Sequence, residues 1–467
     1  MSTFDQDDLD AALRLVSEAI RSRAHKPLGL ALRAKADAQA AVDSLLRFET
    51  PQRLQDLVRD AISALSRGAV QGGHPGHFGF FRGATGADVV VAEALVALFD
   101  PQLALRVEAP ALCRLEAEAL RQLATKLGFE GAASWATSGA TESNRLAILA
   151  ALAIKRPEFA NLGLAGSRPL RVYASSDSHG SLEKAVVSLG LGRRGLCRVG
   201  LNQMRRLDVA ALRQQLAHDR EAGIEALAVV ATFGTTAAGA IDDIPALAAL
   251  AKEQGLFLHI DAAWGGLAAF STMRAPLCAG FDQADSLAFD GHKGLGLPTG
   301  SGFFFARNRD WPTSAFDPAA STYMPQRSSL KVDFDDLDPY RRGPLWSRRL
   351  ATLGLCFRLA SWGWPALSTA IEGRFKLVED LAERLTTANW KVTRFSDLPL
   401  LLFRKDGVDC EEYARRVRRR GRVWIAVINL ESTSYLRVAI TNLSSGESDL
   451  NALMKELDAV RLDLESA

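Results

Sequence analysis

The sequence predicts an α/β protein with a mostly parallel sheet, a helical segment before it and a smaller α+β domain after it. Three observations carry this. Between residues 170 and 305, short β-like runs alternate with stretches of helical period, the pattern of a parallel sheet with crossover helices. The runs are continuously apolar, as strands covered on both faces must be. A carboxylate, Asp261, stands at the exit of one run, and a lysine, Lys293, follows the next. Ligands of open α/β sheets sit beyond the carboxyl ends of the strands.

Taken in order, Leu9, Leu13, Val16 and Ile20 recur at helical spacing and define a first amphipathic helix. Helical pattern continues from about Ala36 to Leu65. The apolar face of this arm needs a partner surface, its own core or a second subunit. Gly72-Gly73-His74-Pro75-Gly76 separates the arm from the remainder of the chain. The β-like runs are Leu170–Ala174, Leu227–Ala231, Leu256–Ile260, Ser286–Phe289 and Gly302–Phe305. A long helical stretch begins near Arg349, and the tail mixes a helix (Asp409–Arg420) with a strand (Tyr435–Ile440). The expected boundaries are residues 1–82 for the helical segment, 83–350 for the large domain and 351–467 for the small one.

Composition narrows the classes. A chain of 467 residues can bury a large core. Its net charge of +2 gives no field that would favour nucleic acid or a membrane surface. The five cysteines are scattered without CxxC spacing, which points to a reducing compartment and no structural zinc. The acidic start, Met1 to Asp8, lacks the apolar region of a secretory signal, and no uncharged apolar stretch is long enough to span a bilayer. The expected location is the cytoplasm.

Asp261 and Lys293, delivered to the ends of neighbouring strands, are what a pyridoxal phosphate (PLP) site requires. The lysine amine condenses with the cofactor aldehyde, and the carboxylate keeps the pyridine nitrogen protonated. Alone, a strand-end aspartate ordinarily caps the next helix and a lysine is ordinarily solvated, so the accompanying residues matter. Ser138 to Asn144 opens a helical run with small residues, leaving backbone N–H groups free to hold a phosphate, and Thr141 adds a hydroxyl. An ordinary helix cap is the alternative. His179, at a strand exit, is placed to lie against a flat ring, or is a loop histidine satisfied locally. Thr232 to Thr236 offers hydroxyls to a ring substituent or to Asp261, or is a polar turn. His292 is a donor to a phosphate or a proton-transfer group.

These pieces, in this order, resemble the PLP-dependent group II amino acid decarboxylases, a family that includes the aromatic-L-amino-acid, glutamate and cysteine sulfinate decarboxylases. The likeness runs from roughly His74 to Leu450. It is densest in His259-Ile260-Asp261-Ala262-Ala263-Trp264-Gly265-Gly266, which looks like the family's HVDAA-aromatic-G segment, and in Ser286 to Pro298, which looks like its HK segment. The resemblance implies fold type I with a seven-stranded large-domain sheet, and a homodimer whose 1–82 segment helps form the dimer. It implies that Lys293 anchors PLP covalently, Asp261 pairs with the ring nitrogen, and His179 stacks on the ring and is one of two candidates, with Tyr323, to return a proton to the substrate carbon. Ala140, Thr141 and His292 would surround the phosphate, with Thr236 and Ala263 near the ring. Arg437 would hold the substrate α-carboxylate, and Phe80 and Arg82 fall in the substrate-contacting segment. Tyr323 falls where the family carries a loop tyrosine that reprotonates the substrate carbon; relatives with phenylalanine there tend to form aldehydes. A surface tyrosine is the alternative.

Two positions depart from the family pattern. Gly291 stands where a proline is common, and Gly294 where a large side chain is usual; the latter is expected to enlarge the pocket. Trp264 and Phe78–Phe81 offer aromatic surface to a substrate, whereas Arg82 would select an acid. Three motifs read as decoys. Gly190 to Gly195 is a literal GxGxxG after a helical pattern rather than a strand, the basic run Arg415–Arg422 has an apolar seam at Tyr413 and Val417, and His74 and His77 lack companion metal ligands. The expected activity is decarboxylation of an L-amino acid with an aromatic or acidic side chain. A PLP-dependent carbon–carbon lyase or oxidative aldehyde synthase is one alternative, and a non-catalytic PLP-binding scaffold is another.

Overall fold

A computed structural model of the chain describes residues 6–22, 28, 35–317 and 334–465. It divides into two compact units. One comprises Asp88–Gly373 with Arg394–Leu398; the other comprises Met1–Ala87, Arg374–Thr393 and Pro399–Ala467.

The first unit holds seven strands: β1 Ala133–Thr137, β2 Leu170–Ser175, β3 Leu196–Val199, β4 Glu225–Thr232, β5 Phe257–Asp261, β6 Ser286–Asp290 and β7 Gly302–Ala306. Their order is β1-β7-β6-β5-β4-β2-β3. The pairs from β3 through β6 are parallel, while β7 runs antiparallel to both β6 and β1. All five runs expected in this region are strands. They form the interior of the sheet, where both faces are covered; every residue of β6 and β7 is buried. Each such Leu or Phe contributes about 1.5–3 kcal/mol relative to an exposed position. The sequence did not reveal β1 and β3. Both are edge strands, and β1 buries only alternate residues, so neither shows a continuous apolar run.

In the second unit, the helical pattern expected over residues 36–65 is two helices, Lys35–Leu45 and Leu54–Arg67, separated by a stretch that contains Pro51. The Asp8 carboxylate, from helix Gln6–Ser22, accepts hydrogen bonds from the first two N–H groups of the later helix, Leu54 (2.7 Å) and Gln55 (3.1 Å). A long-range cap thus replaces the local one. Four antiparallel strands come next, in the order β10-β11-β9-β8: β8 Lys391–Thr393, β9 Leu400–Arg404, β10 Ala426–Leu430 and β11 Thr433–Ala439. Helix Cys410–Arg420 buries Tyr413, Ala414 and Val417, and its basic residues pair outward, Arg416 with Glu412 at 2.7 Å among them. The GxGxxG stretch leads from helix Ser181–Ser188 into β3, so it does not open a helix after a strand.

Gly302 marks a close approach inside the parallel unit. A Cβ there would lie 2.4 Å from Gly139 Cα and 2.6 Å from Gly139 N. Gly302→Ala is expected to lower stability by about 1–3 kcal/mol through overpacking, measured as a shift in the denaturant midpoint. Gly200→Ala, where a Cβ meets nothing within 4 Å, is the control and should shift it far less.

Candidate active site

Adjacent interior strands β5 and β6 place the two key side chains at the carboxyl ends of the sheet's strands. Asp261 ends β5 and pairs in register with Ala288 of β6. Beyond β6, a single helical turn, Gly291–Gly294, carries Lys293. The turn starts with glycine because a Cβ on Gly291 would stand 2.6 Å from Leu297 Cδ1 and 2.8 Å from Phe303 Cε2. At Gly294 the expectation of an enlarged pocket is not met: the residue is buried, and Leu267 Cβ lies 3.1 Å from where its Cβ would be. Lys293 Nζ is 2.9 Å from Asp290 Oδ2, and His292 Nε2 is 3.6 Å from the same oxygen. Asp290 is 2 % exposed; its other oxygen is buried without a hydrogen-bond partner among the described residues.

The turn between β1 and helix Ala140–Lys155 has the features of an anion-binding helix start. Gly139 has φ 140°, a conformation that favours glycine. The Glu142 carboxylate accepts from Ser138 N (2.7 Å) and Ser138 Oγ (2.8 Å), which fixes the entry to the helix. The N–H groups of Ala140 and Thr141 have no hydrogen-bond partner among the described residues. They are the orphan donors at the positive end of a 16-residue helix. A Cβ on Gly139 would lie 3.5 Å from His292 Cε1, so the imidazole borders the same turn. Free donors, a bordering imidazole and a glycine turn suit a phosphate group.

Asp261 is 5 % exposed. Its Oδ2 accepts from Asn144 Nδ2 at 2.9 Å and its Oδ1 from Ala263 N at 3.2 Å. Asn144 Nδ2 also reaches Ser181 Oγ at 2.9 Å, and Asn144 Oδ1 lies 2.9 Å from His259 Nε2. His259 Nδ1 is 2.8 Å from Ser286 Oγ. Burial pushes the His259 imidazole down to about 4. Sequence reasoning missed Asn144, His259, Ser286 and Asp290. Two signals were present: a histidine inside an apolar strand, and an asparagine one turn along the helix from Ala140, on the same face.

Of the remaining residues in this unit, His179 is exposed on the turn after β2, and its Nδ1 accepts from Ser181 N at 3.2 Å. Thr236 is exposed after β4, and the Asp261 carboxylate takes its hydrogen bonds from Asn144 and Ala263 instead. Ala140 and Ala263 pack together with Ala288. Trp264 is 2 % exposed, with its indole N–H donated to Gly234 O at 2.7 Å; it is a core residue, contrary to the aromatic-cradle expectation. In the other unit, Arg437 is 3 % exposed. It donates to Gly79 O, and its guanidinium stands 5.4 Å from the Phe81 ring centre and 6.0 Å from that of Phe80. Burial pushes it down to about 10. Phe78 is fully buried, Phe80 is 54 % exposed and Arg82 is exposed. Tyr323 lies outside the described residues.

A lysine and a carboxylate at the ends of adjacent strands, beside a helix start with free N–H groups, define a PLP enzyme of fold type I. The comparisons agree. The profile of the pyridoxal-dependent decarboxylase conserved domain matches residues 41–404, and the chain belongs to that family. An aromatic-L-amino-acid decarboxylase of Bacillus atrophaeus is 25% identical over 401 residues, covering 83% of this chain and 81% of that one. Human acidic amino acid decarboxylase (29% identical) and human cysteine sulfinic acid decarboxylase (28%) each align over 53% of this chain, and over 47% and 50% of their own lengths. Among solved structures, mouse CSAD superposes with TM-score 0.88 at 21% identity, covering 97% of this chain and 98% of that one. Tryptophan decarboxylase of Catharanthus roseus does so with TM-score 0.86 at 19%, covering 99% and 100%. The protein is a PLP-dependent carboxy-lyase.

The depressed imidazole of His259 has a consequence for stability. As pH falls from about 6.5 to about 4, the unfolded chain takes up a proton there that the folded chain refuses. The folded state therefore loses about 1.4 kcal/mol per pH unit in that window. Asp242, which burial pushes up to about 6, acts with the opposite sign between 3.8 and 6. His259→Gln removes only the first contribution, so its thermal midpoint should fall less than that of the wild type between pH 6.5 and 4. Parallel curves would contradict this.

Proposed function

We propose that the chain catalyses α-decarboxylation of an L-amino acid with an aromatic or acidic side chain, releasing the amine and CO2. The observation that carries this is the placement of Lys293 and Asp261 at the ends of β6 and β5, beside the free N–H groups of Ala140 and Thr141. PLP bound there supplies the sink for the electron pair released when the Cα–carboxylate bond breaks. Lys293 Nζ would hold the cofactor covalently. Asp261 holds the proton on the ring nitrogen. Ala140, Thr141 and His292 hold the phosphate, His179 covers one ring face, and Thr236 and Ala263 border the ring. Arg437 takes the substrate α-carboxylate and so orients the bond to be broken. Phe80 and Arg82 contact the side chain, and Tyr323 returns a proton to the substrate carbon.

We further propose a homodimer, in which segment 1–82 is dimer-forming, residues 83–350 bind PLP and 351–467 form the small domain. The compartment we propose is the cytoplasm, in keeping with five unpaired cysteines. Among the described residues no helix is long and apolar enough to cross a membrane.

Lys293→Ala should abolish the visible absorbance of lysine-linked cofactor, and Asp261→Ala should bind PLP weakly and lose at least about 100-fold in turnover; an unchanged spectrum or wild-type rates would refute the assignments. The substrate question is settled by CO2 release from aromatic, acidic and basic L-amino acids offered to the holoenzyme. Release only from basic ones would overturn the stated class.

A second reading, an oxidative aldehyde synthase, is kept in view because 4-hydroxyphenylacetaldehyde synthase of Rhodiola rosea shares the fold (TM-score 0.85 at 18% identity, covering 98% of this chain). A tyrosine at position 323 favours the amine. Tyr323→Phe should shift product from amine toward aldehyde, and an untouched amine yield would remove Tyr323 from the mechanism.

A further inference from the structure

Asp261 is held by a chain of three buried side chains whose protons have one consistent arrangement. A carboxylate only accepts, so the Asn144 group at 2.9 Å from Asp261 Oδ2 is the amide N–H. The amide oxygen therefore faces His259, and His259 Nε2 carries the hydrogen donated to it. His259 Nδ1 is then bare and accepts from the Ser286 hydroxyl. Burial, which pushes this imidazole down to about 4, keeps it neutral and the pattern intact at physiological pH. Asn144, His259 and Ser286 are each 1 % exposed or less, so no water competes for these bonds.

We propose that Asn144, locked in orientation by His259 and Ser286, is the positioning residue that aims the Asp261 carboxylate at the cofactor's ring nitrogen. The inference rests on Asp261 being the partner of that nitrogen. Two features support it. Asn144 is a neutral donor, so it fixes the rotation of the carboxylate without cancelling its charge. An arginine or lysine in its place would leave less charge for the protonated ring. Asn144 also lies one turn along the helix whose first N–H groups form the phosphate seat. One rigid helix thus sets both the phosphate end and, through Asn144, the nitrogen end of the same cofactor.

The test uses the holoenzyme loaded with PLP labelled with nitrogen-15 in the ring, and needs no substrate. In the wild type at pH 7.5 the ring nitrogen should give a protonated signal. Asn144→Leu, close in volume but unable to donate, should still show the lysine-linked visible band. Its nitrogen signal should move toward the deprotonated range and its cofactor dissociation should quicken about tenfold or more, as expected for losing a hydrogen bond to a charged group. His259→Gln, which can still donate to the Asn144 oxygen and accept from Ser286, should stay within about threefold of wild type. Ser286→Ala, the mildest change, should move the signal in the same direction by a smaller amount, and it decides the question if Asn144→Leu fails to fold. A signal that stays protonated in a folded Asn144→Leu, or is unmoved in Ser286→Ala, overturns the positioning role. A wild-type signal indifferent to Asp261→Asn instead overturns the assignment of Asp261 itself.

Discussion

The structure turns on satisfying one buried carboxylate. Asp261 sits at the end of an interior strand with 5 % of its surface exposed. Burying a carboxylate is costly unless its lone pairs are used, and here Asn144 and the Ala263 N–H use them. Around that requirement the other features make sense. A histidine is accepted into an otherwise apolar strand because it completes the partner set of Asn144, and a serine begins the next strand because it completes that of the histidine. Polar residues within a core are ordinarily a loss; in this network each is satisfied and none is free to rotate.

The second constraint is geometric. In an open parallel sheet, loops leaving the carboxyl ends of neighbouring strands meet on one side. β5 and β6 deliver Asp261 and Lys293 there, while β1 delivers the turn at Gly139 beside His292. β1 and β6 both lie against β7, which runs antiparallel to them. Gly302, the first residue of β7, passes so close to Gly139 that a methyl group does not fit. The candidate site is therefore assembled from chain segments far apart in sequence, and Gly302 and Gly139 approach closely because neither carries a side chain.

Substrate preference belongs to a different layer of the molecule. The related decarboxylases include aromatic and acidic specificities, so family membership leaves the side-chain class open. Trp264 and Phe78 cannot discriminate, because both are spent on core packing. Phe80 and Arg82 are exposed, and they remain the proposed discriminating pair. Arg437 is already desolvated, 3 % exposed and beside the rings of Phe81 and Phe80 at 5.4 and 6.0 Å.

From sequence alone, the interior strands, the α/β class, and the pair Asp261 and Lys293 were all legible. Continuous apolar runs exist only where both faces of a sheet are covered, and chemistry at a strand exit is visible as a polar residue ending such a run. Edge strands β1 and β3 were not legible, because a half-covered strand has no such run. Nor was the division of residues 36–65 into two helices, one of them capped by Asp8 from 46 residues away. Gly294 read as extra space and proved to be filled, since what occupies the volume beside a glycine is decided by another segment, here Leu267. The same holds for Asn144, His259 and Ser286. The histidine inside an apolar strand and the asparagine one turn into the helix were the only hints, and only the tertiary structure brings a helix and two strands close enough for these side chains to link in series to one carboxylate.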